Sequence, residues 1–350
     1  MRGVAFLAFV LTLAFTPLAI WVLRRLRVID VPTERSSHVT RTPRGGGVGV
    51  CLGAVSGLIL AGSKGVVEAG SLKTLVVCAS FFAIVGLIDD VRTLNVKPRL
   101  AAQAACAVLF VAPWFFENGP ALGVGFRAAM AAAAVVWVMG YLNVFNFMDG
   151  INGISALHTV LAGGTLAFIG HVEGHRIVEV CGVTIAFAAL GFLPYNFPRA
   201  RVFLGDVGSY FIGTWLAISV LIALVWKSPP EAVVGPLVIY VADATFTLLN
   251  RIRQGKPWAE SHHEHIYQQL IDRGWSHVST SLTVLAFSTA CMLLGLVSLT
   301  SSTSARVVAD LAIPVVAIGY LAVPQVLARA DRRRVARESA PRTTTRRQAA

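Results

Sequence analysis

Two adjacent carboxylates, Asp89 and Asp90, end the apolar run SFFAIVGLIDD and are residues that could carry out chemistry. Neighbouring like charges raise the pKa of one member of such a pair, which suits a proton acceptor. Adjacent helical residues point about 100° apart, so one carboxylate can face a helix bundle while the other faces a loop. The alternative is a solvated helix terminus, although two carboxylates at a helix C-terminus oppose the helix dipole.

Polar side chains recur every three residues in NVFNFMDGINGIS, at Asn146, Asp149 and Asn152. On a helix this spacing predicts one oxygen-rich stripe in an otherwise apolar surface. Gly150 and Gly153 would leave room for a ligand to come close. The composition favours a ligand or metal site over an ordinary core helix.

The stretch NFPRARVFLGDVGS places a glycine-flanked aspartate, Asp206, where the next apolar run begins. A helix that starts there can offer backbone N–H groups to a phosphate, and the carboxylate can bind Mg²⁺. A simple turn is the alternative for this segment.

Three histidines, His262, His263 and His265, cluster in the segment RIRQGKPWAESHHEHIYQQL. A structural zinc site or plain loop histidines are the alternatives, but the chain has no CxxC pair to complete a zinc site. With Arg251 and Lys256 upstream, the cluster is more typical of a phosphate cradle.

A triple glycine, residues 45–47, follows Arg44 and precedes an apolar run. Glycines allow an anionic headgroup or a nucleotide to approach the backbone closely. A flexible entry loop is the alternative for this segment taken alone.

The composition of the whole chain indicates which elements position these segments. Of the 350 residues, 55% are hydrophobic and only 14% are charged, and the mean hydropathy of +0.69 is typical of a polytopic membrane protein. Apolar runs of about 17–22 residues predict an all-α fold of about eleven transmembrane helices. Their predicted centres are Ala14, Val55, Cys78, Ala107, Ala134, Leu161, Ile185, Trp215, Val238, Phe287 and Val315.

The distribution of Lys and Arg predicts the orientation of these helices. With the N-terminus outside, 23 of the 30 basic residues fall on the cytoplasmic side, which predicts an N-out, C-in topology with the polar motifs facing the cytoplasm. These 23 residues lie in segments 24–45, 89–99, 196–207, 250–278 and the tail from Arg329.

The net charge of +12 therefore does not suggest a nucleic-acid partner. Part of it belongs to the Arg-rich C-terminal end, which could lie near anionic headgroups, although a plain positive-inside anchor is the favoured interpretation. We expect residues 1–328 to form the membrane domain and residues 329–350 to be a disordered basic tail in the cytoplasm.

Together the polar segments would place carboxylates, amides, cations and histidines at one lipid boundary. Hard oxygen ligands without thiolates suit Mg²⁺, with Mn²⁺ as the alternative, and cations beside them suit phosphates. A membrane setting suits a substrate whose phosphate lies at the headgroup level and whose tail stays in lipid. The sequence therefore predicts phosphoryl transfer to a lipid phosphate from a soluble nucleotide compound.

The motifs, in this order, resemble the polyprenyl-phosphate N-acetylhexosamine-1-phosphate transferases, the membrane superfamily that includes phospho-MurNAc-pentapeptide translocase. The resemblance runs from PTERSSHVTRTPRGGG to HHEHIYQQL. It implies Mg²⁺-dependent transfer of a sugar-1-phosphate from a UDP-sugar to undecaprenyl or decaprenyl phosphate, with release of UMP. It also implies a multi-pass enzyme of the bacterial cytoplasmic membrane, and a homodimer is one option for its assembly.

The resemblance assigns roles to residues at matching positions. The family pattern DDxxxxxxK falls on Asp89, Asp90 and Lys97, and the first aspartate is expected to deprotonate or position the lipid phosphate. Phe203 matches an aromatic residue that stacks on uracil, and Asp206 matches the Mg²⁺ ligand. The expected catalytic residues are Asp89, Asp90, Asp149 and Lys97, and the expected metal ligands are Asp149 and Asp206. The expected substrate contacts are Arg44, Asn146, Asn152, Asn196, Phe203, His262, His265, Tyr267 and Gln268.

Two departures from the family pattern bear on the substrate. Many members carry aspartate where this chain has Asn152, near uracil, and an amide there keeps the hydrogen bond but loses a charge. The loop HEHIYQ lacks the HHH run typical of the MurNAc-pentapeptide enzyme, which favours UDP-GlcNAc or a UDP-6-deoxy-HexNAc donor, as in O-antigen-like glycan synthesis. The MurNAc-pentapeptide translocase is the alternative within the family. A lipid transporter or flippase is the alternative from another class, although the charges cluster on one face and no internal repeat is evident.

Overall fold

The computed structural model of the protein describes residues 1–32, 37, 40–67, 69–92, 94–121, 123–257, 263–299 and 302–338. Its α-helices are α1 (Arg2–Arg25), α2 (Gly47–Ser63), α3 (Ala69–Arg92), α4 (Val96–Cys106), α5 (Ala112–Asn118), α6 (Val124–Met148), α7 (Ile154–Val172), α8 (Arg176–Asn196), α9 (Gly205–Val225), α10 (Pro230–Val234), α11 (Val238–Arg253), α12 (Ile266–Asp272), α13 (His277–Leu296) and α14 (Thr303–Glu338). A π-helical turn lies at Ala107–Val111, and 3₁₀ turns lie at Gly235–Leu237 and Val297–Leu299.

Each of the eleven predicted apolar runs falls in a helix, which confirms the prediction of an all-α polytopic membrane protein. Within the described ranges, ten helical stretches are long and apolar enough to cross a membrane, and α2, with 17 residues, is shorter. Two of the ten are composite, because α4 joins α5 through the π-helical turn and α10 joins α11 through a 3₁₀ turn. Apolar runs form helices in lipid because a helix pairs its backbone N–H and C=O groups internally.

Two short strands, β1 (Ile29–Asp30) and β2 (Thr42–Pro43), were not predicted from the sequence. They pair antiparallel, with Asp30 opposite Thr42. This ribbon returns the chain that leaves α1 to the start of α2. It therefore brings Asp30 close to Arg44, which follows the second strand.

Helix α9 lies at the centre of the bundle, where 94% of the residues in its apolar span are buried. It packs against α2, α3 and α6, and glycines let two of these neighbours come close. An added Cβ atom at Gly86 of α3 would lie 2.2 Å from the Asp206 carbonyl oxygen. An added Cβ atom at Gly47 of α2 would lie 2.3 Å from the Gly208 Cα atom. Because such distances exclude a side chain, α2 and α3 can contact the first turn of α9 directly.

Helix α14 lies at the periphery, where only 28% of its apolar span is buried. It continues helically to Glu338, past residue 329, where the sequence predicts a disordered tail to begin. The segment ARADRRRVARE is rich in good helix formers, which accounts for the extension. Arg273 Nη1 lies 3.4 Å from Asp331 Oδ2 and connects this end of α14 to the turn after α12. Residues 339–350 lie outside the described part of the chain.

Candidate active site

Arg44 is brought to the start of α9 by backbone pairing. The Phe203 N–H donates to the Pro43 carbonyl at 2.8 Å, and the Gly46 N–H donates to the Phe203 carbonyl at 2.9 Å. Arg44 and Phe203 therefore form a parallel bridge between the segments that precede α2 and α9. An added Cβ atom at Gly46 would lie 2.7 Å from Val202, so neighbouring protein fills the space where the sequence predicts a ligand.

The Arg44 guanidinium bridges two carboxylates. Its Nε atom lies 2.6 Å from Asp90 Oδ1, and its Nη2 atom lies 2.6 Å from Asp206 Oδ2. Burial by itself would lower the pKa of Arg44, but the charges of Asp206, Asp90 and Asp30 outweigh burial and raise that pKa above its usual value. Arg44 therefore stays cationic and connects α3 to α9.

Asp90 caps the start of α9. Its side chain is fully buried, and its two oxygens accept the Asp206 N–H at 2.9 Å and the Val207 N–H at 3.0 Å. Gly205 precedes these groups with a φ of +76°, and an added Cβ atom there would lie 2.6 Å from Asp90 Oδ2. A carboxylate is favourable at this point because the first backbone N–H groups of a helix have no partner within it. The prediction that these N–H groups are offered to a phosphate is therefore wrong for two of them.

Asp89 is also buried, with 5% of its surface exposed. It accepts hydrogen bonds from the Leu94 N–H at 2.6 Å, from Arg99 Nη1 at 3.0 Å and from the Tyr210 hydroxyl at 3.5 Å. The alternative of a solvated helix terminus is thus excluded, and both carboxylates of the pair contact protein donors. Lys97, in contrast, is exposed on α4. Arg99, a partner of Asp89, was not predicted from the sequence.

Helix α6 ends just before Asp149, so the prediction of Asn146, Asp149 and Asn152 as one helical stripe is wrong. Asn146 lies in the last turn, where its Nδ2 atom donates to Asp206 Oδ1 at 2.8 Å. Asp149 is the C-cap residue. Asn152 lies beyond the helix, and its Nδ2 atom donates to the Pro198 carbonyl at 3.2 Å.

The glycines after α6 accommodate side chains from distant segments. Gly153 has a φ of +79°, and an added Cβ atom there would lie 2.3 Å from the ring of Phe197. At Gly150 the added atom would lie 2.1 Å from the Tyr267 hydroxyl. The Gly153 N–H also donates to Asn196 Oδ1 at 2.8 Å, which holds the turn against the end of α8. The space that these glycines leave is occupied by protein, whereas the sequence predicts a ligand there.

Of the predicted histidine cluster, His262 lies outside the described residues. His265 is buried, and its Nδ1 atom lies 3.0 Å from Asp243 Oδ1. The Tyr267 hydroxyl donates to the Phe147 carbonyl at 3.1 Å, which joins α12 to the last turn of α6. The described part of this segment therefore packs on the site through α12.

The cations upstream of the histidines are paired within the protein. Arg251 Nη1 at 2.7 Å and Lys256 Nζ at 3.0 Å both contact Glu264 Oε1. His263 Nε2 lies 3.2 Å from Asp272 Oδ1. Because these groups contact carboxylates, the described residues of the segment do not form the predicted phosphate cradle.

A cavity of about 260 Å³ opens between the segment before α2, the ends of α6 and α8, and the starts of α9 and α12. The predicted site residues that line it are Arg44, Asn146, Asp149, Asn196, Phe203, Asp206 and Gln268. The predicted site residues outside its wall, among those described, are Asp89, Asp90, Lys97, Asn152, His265 and Tyr267.

Asp30 and Ser37 also line the cavity, although neither was predicted as a site residue from the sequence. The Ser37 carbonyl accepts the His277 Nε2–H at 2.7 Å, and His277 Nδ1 accepts the Asn152 N–H at 3.3 Å. His277 thus connects the loop that carries Ser37 to the turn after Asp149. No local pattern marks Ser37 or His277, whereas the acidic Asp30 just before a turn was a usable signal.

Two carboxylates, Asp149 and Asp206, line the same cavity. Burial raises the pKa of Asp149 to about 8, and the nearby charge of Asp206 adds to the rise. Within the described ranges, no three His, Cys, Asp or Glu side chains are grouped to hold an ion by themselves. Protein sites for Mg²⁺ commonly use one or two carboxylates and complete the shell with substrate phosphates and water. The donor set therefore fits Mg²⁺ bound together with a phosphate substrate.

Residues 72–224 match the model described as glycosyl transferase family 4. This range contains Asp89, Asp90, Asp149 and Asp206, and it excludes Arg44 and helix α12. The matched part therefore supplies most of the carboxylates of the site, while the flanking parts complete the cavity wall.

Curated proteins are similar to this chain over most of its length. A decaprenyl-phosphate N-acetylglucosaminephosphotransferase of Mycobacterium tuberculosis (strain CDC 1551 / Oshkosh) is 30% identical over 287 residues, which are 72% of this chain and 71% of the relative. A protein of Bacillus subtilis (strain 168) named "Probable undecaprenyl-phosphate N-acetylglucosaminyl 1-phosphate transferase" is 28% identical over 290 residues, 80% of each chain. A phospho-N-acetylmuramoyl-pentapeptide-transferase of Lacticaseibacillus paracasei is 29% identical over 306 residues, 79% of this chain and 91% of the relative.

These matches confirm the family that the polar motifs predict. The family match covers α6, α8 and the start of α9, which carry most of the cavity residues. The apolar helices agree with a protein that crosses the membrane many times. The chain belongs to glycosyl transferase family 4 and is a multi-pass membrane enzyme of that family.

Proposed function

We propose that this protein transfers an N-acetylhexosamine-1-phosphate, of the GlcNAc or 6-deoxy-HexNAc type, from a UDP-sugar to undecaprenyl or decaprenyl phosphate and releases UMP. The observation that carries the proposal is the cavity where Arg44, Asp149 and Asp206 come together at the helix ends of a membrane bundle. The names of two relatives, which specify polyprenyl phosphate and N-acetylglucosamine, support this choice of substrates.

In the proposed reaction an oxygen of the lipid phosphate attacks the phosphorus that bears the sugar. The bond from that phosphorus to the oxygen bridging to UMP breaks, and UMP leaves with the electron pair. The lipid therefore gains a diphosphate linkage to the sugar. Arg44 would stabilise the negative charge on the reacting phosphates, and Phe203 offers a ring to the donor base. Asp149 and Asp206 would hold Mg²⁺ or Mn²⁺, which when bound supplies charge neutralisation at the diphosphate.

Asp89, predicted to contact the lipid phosphate, and Asp149, predicted as a catalytic residue and metal ligand, have different surroundings. Asp149 lines the cavity, whereas Asp89 contacts Arg99 and the Leu94 N–H. We therefore propose that Asp149 contacts the substrate and that Asp89 positions Arg99. Lys97 is exposed on α4, two residues before Arg99, and is our candidate for contact with the lipid phosphate from outside the cavity.

The active site is proposed to face the cytoplasm from the bacterial cytoplasmic membrane. The support is the charge asymmetry, because the proposed orientation puts 23 of the 30 Lys and Arg residues on that side. A soluble nucleotide-sugar donor would then reach the cavity without crossing the bilayer.

The proposal is tested by release of UMP from purified protein supplied with undecaprenyl phosphate and Mg²⁺. UDP-GlcNAc, a UDP-6-deoxy-HexNAc and UDP-MurNAc-pentapeptide are offered separately. We expect lipid-dependent release with one of the first two donors and its loss in Asp206→Ala. A matched control, Asp310→Asn, changes an exposed aspartate of α14 and should retain full activity.

Each contrary result has a distinct meaning. Release with the pentapeptide donor alone would replace the proposed substrate by that of the MurNAc-pentapeptide branch. Absence of release with all three donors would favour a lipid transporter. Full activity in Asp206→Ala would remove Asp206 from the proposed metal site.

A further inference from the structure

Asp243 of α11 is fully buried, and the proposed chemistry does not use it. Its carboxylate accepts hydrogen bonds from the Tyr320 hydroxyl at 2.7 Å, His265 Nδ1 at 3.0 Å and the Ile266 N–H at 3.1 Å. Thr247, one turn along α11, donates at 3.3 Å. A buried carboxylate is stable only where protein donors replace water, and here the donors come from α11, α14 and the start of α12.

The element that Asp243 holds is α12. Ile266 is its first residue and His265 is its N-cap, and an acidic group beside the first N–H of a helix stabilises the helix start. The His265 N–H donates to Gln268 Oε1 at 3.0 Å, and Gln268 lines the cavity. The Tyr267 hydroxyl bonds to a carbonyl in the last turn of α6, just before Asp149. The position of the α12 wall therefore depends on Asp243.

Tyr320 connects α14 to the same carboxylate. Most of the apolar span of α14 is not buried, but Tyr320 is fully buried, and its ring packs edge to face on Phe287 of α13 with centroids 5.5 Å apart. A series of hydrogen bonds thus runs from Tyr320 through Asp243 and His265 to Gln268 at the cavity.

We propose that Asp243 and Tyr320 are positioning residues for the active site, which hold α12 in the place where Gln268 contacts the nucleotide-sugar donor. The inference rests on the proposed function for the identity of that donor. Gln268 shares the cavity with Asn196 and Phe203, so its wall suits a polar, water-soluble substrate better than a lipid tail. Loss of the Tyr320 hydroxyl should therefore weaken donor binding more than the chemical step.

The kinetic test uses Tyr320→Phe, which removes one hydroxyl and leaves the ring on Phe287. We expect the KM for the UDP-sugar to rise about tenfold, the effect of one hydrogen bond to a charged group, while kcat and the KM for undecaprenyl phosphate change by less than about twofold. Tyr195→Phe is the matched control, because it loses a hydroxyl that donates to the Leu13 carbonyl of α1 at 2.9 Å, rather than to a group that holds α12. This control should leave all three constants unchanged.

A second measurement does not depend on activity. Backbone hydrogen exchange of residues 265–272 should be faster in Tyr320→Phe than in the wild-type protein and unchanged in Tyr195→Phe. Asp243→Asn should increase both the exchange rate and the donor KM further. The double variant should differ little from Asp243→Asn, because both substitutions act through one carboxylate.

Unchanged exchange in residues 265–272 together with an unchanged donor KM in Tyr320→Phe would overturn the inference. An equal rise in both KM values with a lower unfolding temperature would also overturn it, since that pattern reports general loss of structure. If the wild-type protein releases no UMP, the proposed function fails, and the exchange measurement still decides whether Asp243 and Tyr320 hold α12.

Discussion

The carboxylates of this membrane protein have two kinds of surroundings. Asp90 and Asp243 are fully buried, and protein N–H and O–H groups bind their oxygens. Asp149 and Asp206 line the cavity, where a substrate or a cation can reach them. Asp206 also contacts protein donors, Asn146 and Arg44, but unlike Asp90 and Asp243 it lines the cavity. Access to the cavity, rather than position at a helix end, therefore separates the aspartates available for chemistry from those that only hold helices.

Asp149→Asn tests whether an aspartate that lines the cavity takes part in the reaction. We expect the rate of UMP release to fall by about 100- to 10,000-fold, because the amide keeps the shape of the side chain but can neither accept a proton nor become an anionic metal ligand. The unfolding temperature should stay close to that of the wild-type protein. The rate of UMP release and the unfolding temperature are both measured on the same protein preparation. A large fall in unfolding temperature would show instead that Asp149 holds helices together, as Asp90 and Asp243 do.

Asp90→Asn should have its main effect on stability. We expect the free energy of unfolding to fall by about 2–3 kcal/mol, because the start of α9 loses its buried anionic cap and the partly exposed Arg44 guanidinium loses one of its two charged partners. Denaturant unfolding in detergent measures the change. Asp272→Asn is the control, since that aspartate is largely exposed and should alter stability by less than about 0.5 kcal/mol. Equal stability of the two variants would contradict the role of Asp90.

Gly86→Ala tests whether the close contact between α3 and α9 positions Asp206, and its expected effect on stability is smaller than that of Asp90→Asn. The new methyl group would lie 2.2 Å from the Asp206 carbonyl, so α3 and α9 must separate. We expect a loss of about 1–3 kcal/mol in unfolding free energy, with slower UMP release because Asp206 moves. Gly62→Ala, on α2 with no atom within 4 Å of the new group, is the matched control and should be neutral. Similar behaviour of the two variants would show that α3 and α9 are not in close contact.

The sequence predicts the helices better than it predicts the contacts between them. Every predicted apolar run is helical. Whether a run of about 20 residues can cross a membrane as a helix depends on the hydrophobicity of those residues alone, so it can be predicted from the local sequence. The start of α9 at Gly205 was predicted for the same local reason. Arg99 and Asp243 were not predicted as site residues, because their significance arises from Asp89 and Tyr320, which only the folded chain brings to them.

The turn after α6 shows where a local pattern fails. The spacing of Asn146, Asp149 and Asn152 is that of a helix, but the chain leaves the helix before Asp149. Gly150 receives the hydroxyl of Tyr267 from the C-terminal third of the chain. The local spacing of polar residues carries no information on a partner so distant in sequence, and for that reason Asn152 was predicted on the same surface as Asn146 and Asp149.

The cap that Asp90 forms on α9 has a consequence for selectivity among the anions of a cell. An open helix N-terminus beside an arginine attracts any phosphate, whether free phosphate or a nucleotide without a sugar. In this protein an internal carboxylate already holds two of the N–H groups of that terminus and one edge of Arg44. Small anions would have to compete with a group that is covalently part of the chain, so the first turn of α9 is protected from occupation by the wrong ligand.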